Sequence, residues 1–189
     1  MCIRDSFDPG TGAIVGRIVN APESEIYGID AEAVLALTDS LRISQSVGWK
    51  EGTFQEFNDL DIAGTTAAGS AVFVDRAGQD LGFPTLSYQG AVSHTMTVNK
   101  FTLVSRFDYA YRSDLELPLL GPVFEVDGYW LANASLEIAP SDGPWSLTLW
   151  GRNITNTDYD ETRNFFTPGA NVAAPGLVAT YGARLNLSY

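Results

Sequence analysis

The sequence predicts an all-β protein, an antiparallel meander of about eight long strands forming part of a transmembrane β-barrel, with an open curved sheet if the chain is a fragment. Three observations predict it. Apolar side chains recur at every second residue over long stretches, connections between those stretches alternate between short and long, and Trp and Tyr gather near the stretch ends. Alternation at period two is the mark of a strand with two unlike faces. Alternating connection lengths fit a barrel with tight turns at one rim and long loops at the other. Ring-and-polar-tip side chains suit the headgroup level.

The elements follow in chain order. Residues 13–19 are the weakest strand. From Tyr27 the apolar phase runs Tyr27, Ile29, Ala31, Ala33, Leu35, Leu37, with Gly28, Asp30 and Glu32 between. From Leu41 it runs Leu41, Ile43, Val47, Trp49 against Arg42, Ser44, Ser46 and Lys50. Leu86, Tyr88, Val92 and Met96 oppose Ser87, Gln89, Ser93 and Thr95. Residues 101–112 are the clearest, with Phe101, Leu103, Phe107, Tyr109 and Tyr111 against Thr102, Arg106, Asp108 and Arg112. Trp130 to Ile138 and Trp145 to Leu149 repeat the pattern. The last strand sets Tyr181, Ala183, Leu185, Leu187 and Tyr189 against Thr180, Gly182, Arg184 and Asn186. Residues 38–40, 97–99 and 139–144 are tight turns, whereas 54–84, 113–126 and 154–176 are long loops expected at one end. The even phase puts Arg106, Asp108, Arg152 and Arg184 toward a lumen, where a wide pore hydrates them or docks a plug.

Composition narrows the function. Eleven basic against 23 acidic residues give a net charge of −12, which repels a phosphate backbone and excludes nucleic acid as a partner. One Cys and one His cannot supply a Cys/His metal site or a disulfide. No apolar run reaches the ~20 residues of a membrane helix, while a membrane strand needs only about 9–11. Met1 to Ser6 lack the features of a secretory signal and read as foreign leader, outside the fold. Catalytic motifs are missing: Ser93 and His94 are adjacent and point to opposite strand faces, and no nucleophile elbow, P-loop or dinucleotide fingerprint occurs. Asp59 and Asp61, with Asp75 and Asp80, lack the Gly and distal Glu of a calcium loop and read as solvated carboxylates. The expectation is a non-enzyme without cofactor or metal.

The run LTLWGRNITNTDYDETRNFF (147–166), followed by VATYGARLNLSY, resembles the C-terminal end of TonB-dependent outer-membrane receptors. Gly151, Asn153, Ile154, Asn156 and Tyr159 match that family's turn after the penultimate strand, and the final strand ends on an aromatic. Asn20-Ala21 with Gly28-Ile29-Asp30-Ala31-Glu32 is similar to an earlier strand start, with Asp for the first Glu, and FDYAYRSD to a late aromatic strand.

The resemblance implies a chain that, from residue 7 to 189, is the C-terminal part of a barrel of about 22 strands. The plug and TonB-contacting segment of the family are absent, so TonB would be reached only through that missing N-terminal part. It implies a Gram-negative outer-membrane location among outer-membrane lipids, and uptake of a scarce extracellular nutrient, with iron–siderophore complexes the commonest cargo. Arg163, Asn164, Phe165 and Phe166, a cation, an amide and two rings beside Pro-Gly, would be the cargo-loop contacts. Tyr181, Leu185, Leu187 and Tyr189 would form the signal read by the barrel-insertion machinery. The rivals are a complete eight-stranded outer-membrane barrel serving as adhesin or anchor, a soluble secreted β-sandwich binding glycans, and a barrel enzyme. A ladder between 13–19 and 177–189 would favour the first.

Overall fold

The computed structural model describes residues 2–8, 13–19, 23–60, 69–70, 72–116, 125–167 and 170–188. The chain divides into two units, Met1–Tyr27 with Glu51–Leu81, and Gly28–Lys50 with Gly82–Tyr189.

The first unit contains two short hairpins. Strand β1 (Cys2–Asp8) pairs antiparallel with β2 (Ala13–Val19), from Cys2↔Val19 to Asp8↔Ala13. One expectation is corrected: residues 13–19 lie outside the large meander and pair with residues 2–8 instead. A partner a few residues away closes a much smaller loop than one across a sheet, so the local hairpin is entropically cheaper. The second hairpin, β5 (Asn58–Leu60) with β6 (Phe73–Asp75), lies inside the expected loop 54–84. Phe54 and Phe57 are buried, with ring centroids 4.8 Å apart. The Arg76 N–H donates to the Phe57 carbonyl at 2.8 Å and the Gly78 N–H to that of Phe54 at 2.7 Å. Of the acidic loop residues, Asp59 approaches Arg76 at 3.6 Å and Asp75 accepts from the Ala77 N–H at 2.9 Å. Asp61 lies outside the described residues.

The second unit is built on a seven-stranded antiparallel sheet. Its strands are β3 (Glu23–Ala36), β4 (Leu41–Glu56), β7 (Leu86–Val98), β8 (Phe101–Arg112), β9 (Tyr129–Pro140), β10 (Trp145–Arg152) and β13 (Thr180–Leu187). The first two continue into the other unit. The order β13-β10-β9-β8-β7-β4-β3 pairs each strand with the next of these seven along the chain. Antiparallel neighbours then require the connections 37–40, 99–100 and 141–144 at one end and the three long ones at the other. The short turns have local chemistry to match: the Thr38 hydroxyl accepts from the Leu41 N–H at 3.0 Å, and Asn99 takes φ 55°. Among the described residues no ladder joins β13 to β2 or β3, so the sheet is open and the complete eight-stranded barrel loses its discriminating feature.

The registers sort the side chains. Leu41↔His94, Val92↔Phe107, Phe107↔Ala134, Leu149↔Leu136 and Leu147↔Leu185 share one face. Arg42↔Ser93, Ser93↔Arg106, Asp108↔Asn133, Thr148↔Arg184 and Arg152↔Thr180 share the other. A sandwich would cover the apolar face with a second sheet. Here Leu185 and Leu187 are 61% and 68% exposed and Trp130 51%. That pattern suits a wall whose greasy side meets lipid.

Aromatics band this face at two heights. Near the long connections Tyr111 and Trp130 are 4.7 Å apart, and Tyr88 lies 5.7 Å from Tyr109 and 6.1 Å from Trp130. Near the short turns Phe101 and Trp145 are 6.2 Å apart. From Phe101 to Tyr111 is roughly 33 Å of strand, or ~25 Å along the membrane normal at a tilt near 40°, the height of an outer-membrane apolar band.

Candidate functional site

The long-connection end of the sheet carries the turn and loop residues singled out in the sequence. The turn after β10 is its foundation. Asn153, 5% exposed and at φ 45°, is a knot between three segments. Its N–H donates to Asn133 Oδ1 at 2.9 Å, and its Nδ2 to the carbonyls of Thr157 at 2.8 Å and Leu177 at 2.9 Å. Its Oδ1 accepts from the Thr157 N–H at 2.9 Å. Asn156, at φ 50°, accepts from the Ala179 N–H at 3.2 Å. Asn tolerates the left-handed region and carries both donor and acceptor, so one residue type supplies turn and tie. The motif that carries the family resemblance therefore acts as a latch from the end of β10 to the start of β13.

Between the latched ends stands a third hairpin, β11 (Asp160–Thr167) with β12 (Ala170–Pro175), where a loop was expected. Its base packs on the sheet. Tyr129 and Tyr159 have ring centroids 4.3 Å apart, and the Gly176 N–H donates to the Tyr159 carbonyl at 2.7 Å. Arg112 Nη1 donates to the Glu161 carbonyl at 3.2 Å and Nη2 to that of Asp160 at 3.5 Å, with the guanidinium 4.8 Å from the Tyr129 ring. Tyr129 and the role of Arg112 in holding a hairpin were missed. Their signal is faint, a cation and a ring at strand ends flanking a long connection.

The four expected cargo contacts all fall on β11. Arg163 donates from Nε to Asp160 Oδ2 at 2.8 Å, so its charge is already matched within the hairpin. Asn164 and Phe165 pair through their backbones with Val172 and Asn171, and Phe166 occupies the register shift that follows. The side chains of these three lie outside the described residues. The structure thus places the four in one strand without joining them into a pocket.

The four charges assigned to the lumen share the polar face. Arg106 Nε donates to both Asp108 oxygens at 2.9 and 3.0 Å. Both side chains are substantially exposed, so the pair adds at most about 1 kcal/mol. Arg152 lies over Trp150 at 5.6 Å, and Arg184 is exposed beside Thr148. Tyr181, Leu185 and Leu187 share the apolar face, and Tyr189 lies outside the described residues.

A single antiparallel meander with one apolar and one charged face, banded by aromatics and connected alternately short and long, is built as the wall of a transmembrane β-barrel. The fold is similar to the ferric yersiniabactin uptake receptor FyuA from Yersinia pestis, with a TM-score of 0.69 at 11% identity. The match covers 88% of this chain and 24% of that one, so the chain spans about a quarter of the receptor's length. No family model and no curated protein matches the sequence.

Proposed function

We propose that the chain is the C-terminal part of the wall of a TonB-dependent receptor in the outer membrane of a Gram-negative bacterium. The parent protein takes up a scarce nutrient, an iron–siderophore complex or a chelate of similar size. The observation that carries this reading is the open, sequentially ordered sheet that aligns with a siderophore uptake receptor over most of its length while filling about a quarter of it. The latch around Asn153, which makes physical sense of the receptor-like turn, adds to it. In this reading Arg106, Asp108, Arg152 and Arg184 face the lumen, outer-membrane lipids cover the opposite face, and the last strand through Tyr189 addresses the barrel-insertion machinery. Cargo is met at the long-connection end, where the β11–β12 hairpin carries Arg163 to Phe166. Energy comes from TonB through the rest of the parent protein, and no catalytic step is involved.

Uptake is the test. Cells deleted for the encoding gene and cells lacking TonB are offered a panel of radiolabelled ferric chelates and cobalamin. Loss of the same cargo in both strains is the expected result. Unchanged uptake of every member in the deletion strain overturns the reading.

A further inference from the structure

Arg112 is held in an unusual way. It sits at the last position of β8, half-buried, with one flank of its guanidinium against the Tyr129 ring at 4.8 Å. Its polar contacts are two backbone carbonyls of the β11 stem, Glu161 at 3.2 Å and Asp160 at 3.5 Å. Nε is buried and has no hydrogen-bond partner among the described residues. The nearby Asp160 carboxylate is taken by Arg163 at 2.8 Å, and no carboxylate forms an ion pair with Arg112 among the described residues.

A guanidinium is a planar fork of five donors matched to the two coplanar oxygens of a carboxylate. Carbonyl oxygens are neutral acceptors, and at these distances they recover only part of what a charge-assisted bidentate pair supplies. A partly desolvated cation with an idle Nε is therefore incompletely satisfied. The Tyr129 ring covers one flat side, so a ligand must arrive edge-on. A carboxylate presents two coplanar oxygens to that edge.

We propose that Arg112 is a carboxylate-binding site that doubles as the catch of the β11–β12 hairpin. Without ligand its Nη groups hold the carbonyls of Asp160 and Glu161. When the stem opens and uncovers Nε, a ligand carboxylate that takes the Nε–Nη edge holds the guanidinium off those carbonyls and keeps the stem free. The inference goes beyond the transport reading and does not depend on it, because the readout is the hairpin itself.

The experiment uses the full chain in dodecyl maltoside micelles, with acetate as the probe and chloride at equal ionic strength as reference. The rate of trypsin cleavage after Arg163 reports the hairpin, and protection at Arg106 within β8 reports the intact sheet. Acetate is expected to speed cleavage after Arg163 about ten-fold while Arg106 stays protected. Arg112→Gln should be cut rapidly in chloride and respond no further to acetate, and Arg112→Lys, which keeps charge but not the fork, should show a weakened response. An unchanged cleavage rate in acetate, an equal acetate response in Arg112→Gln, or an equal effect of inorganic phosphate on the native chain overturns the proposal.

Discussion

Gln45 and Gly90 both interrupt the apolar phase, one in β4 and one in β7, and the register sets them directly opposite each other. Across the next ladder Gly90 faces Tyr109, whose ring lies over the glycine: a Cβ at Gly90 would meet the phenol oxygen at 2.5 Å. The tyrosine thereby reaches the Gln45 amide, which donates to Tyr109 and accepts from Tyr88. Gly151 with Tyr181 and Gly182 with Trp150 repeat the pairing of a bare backbone with a cross-strand ring. Gly90→Ala should cost about 1–3 kcal/mol by displacing the ring, and Tyr109→Phe about 1–3 kcal/mol by leaving the amide a partner short. Urea titration in detergent measures both, and a change within error in either removes this account of the site. Asn153→Ala should cost more, about 2–4 kcal/mol, since several bonds and a left-handed residue are lost together. Asn153→Gly, which keeps the conformation, should fall between it and the native chain.

At the scale of the element, β13 decides whether the two faces are correctly assigned. Leu185→Arg, two residues inside the Trp145 border of the band, is expected to hinder insertion into bilayers by about 1–2 kcal/mol, whereas Asn186→Arg on the opposite face should cost less. Equal effects in a folding titration into vesicles would mean the faces do not meet lipid and water as described. The strands of the large sheet were legible because each runs far enough for period two to repeat several times. The hairpins were not. Strands β5 and β6 have three residues each, too few to show a period, and β11 reads DETRNFFT, with its polar residues first and its rings last. Residues 13–19 read as a strand, but a strand pattern names no partner, and the segment that pairs with it, CIRDSFD, carries no sustained apolar alternation. The candidate site was legible as a place more than as a mechanism. The Gly151–Tyr159 motif marked the right turn, yet only the bonding of Asn153 reveals that it ties strands together.

For the whole molecule, four native tryptophans offer a direct reading of the membrane. Trp49, Trp130 and Trp145 lie on the apolar face and Trp150 on the other. In variants retaining one tryptophan each, refolded into vesicles of phosphatidylcholine brominated along its acyl chains, the first three should be quenched and Trp150 spared. Bromine near the headgroup should quench Trp130 and Trp145 more strongly than bromine near the chain ends, because the two mark opposite borders of the band. Uniform quenching of all four would contradict a sheet with one face in lipid. Without detergent the chain is expected to aggregate, since the exposed leucines of β13 and the open edges of the sheet both invite association. The sequential order has a separate consequence for descent. Every ladder joins strands consecutive within the sheet, so gain or loss of one hairpin leaves the remaining ladders, their polarity and the side on which each turn emerges unchanged. Such a sheet is additive by twos, and walls of different circumference can arise from one another by duplication or deletion without rewiring a single strand.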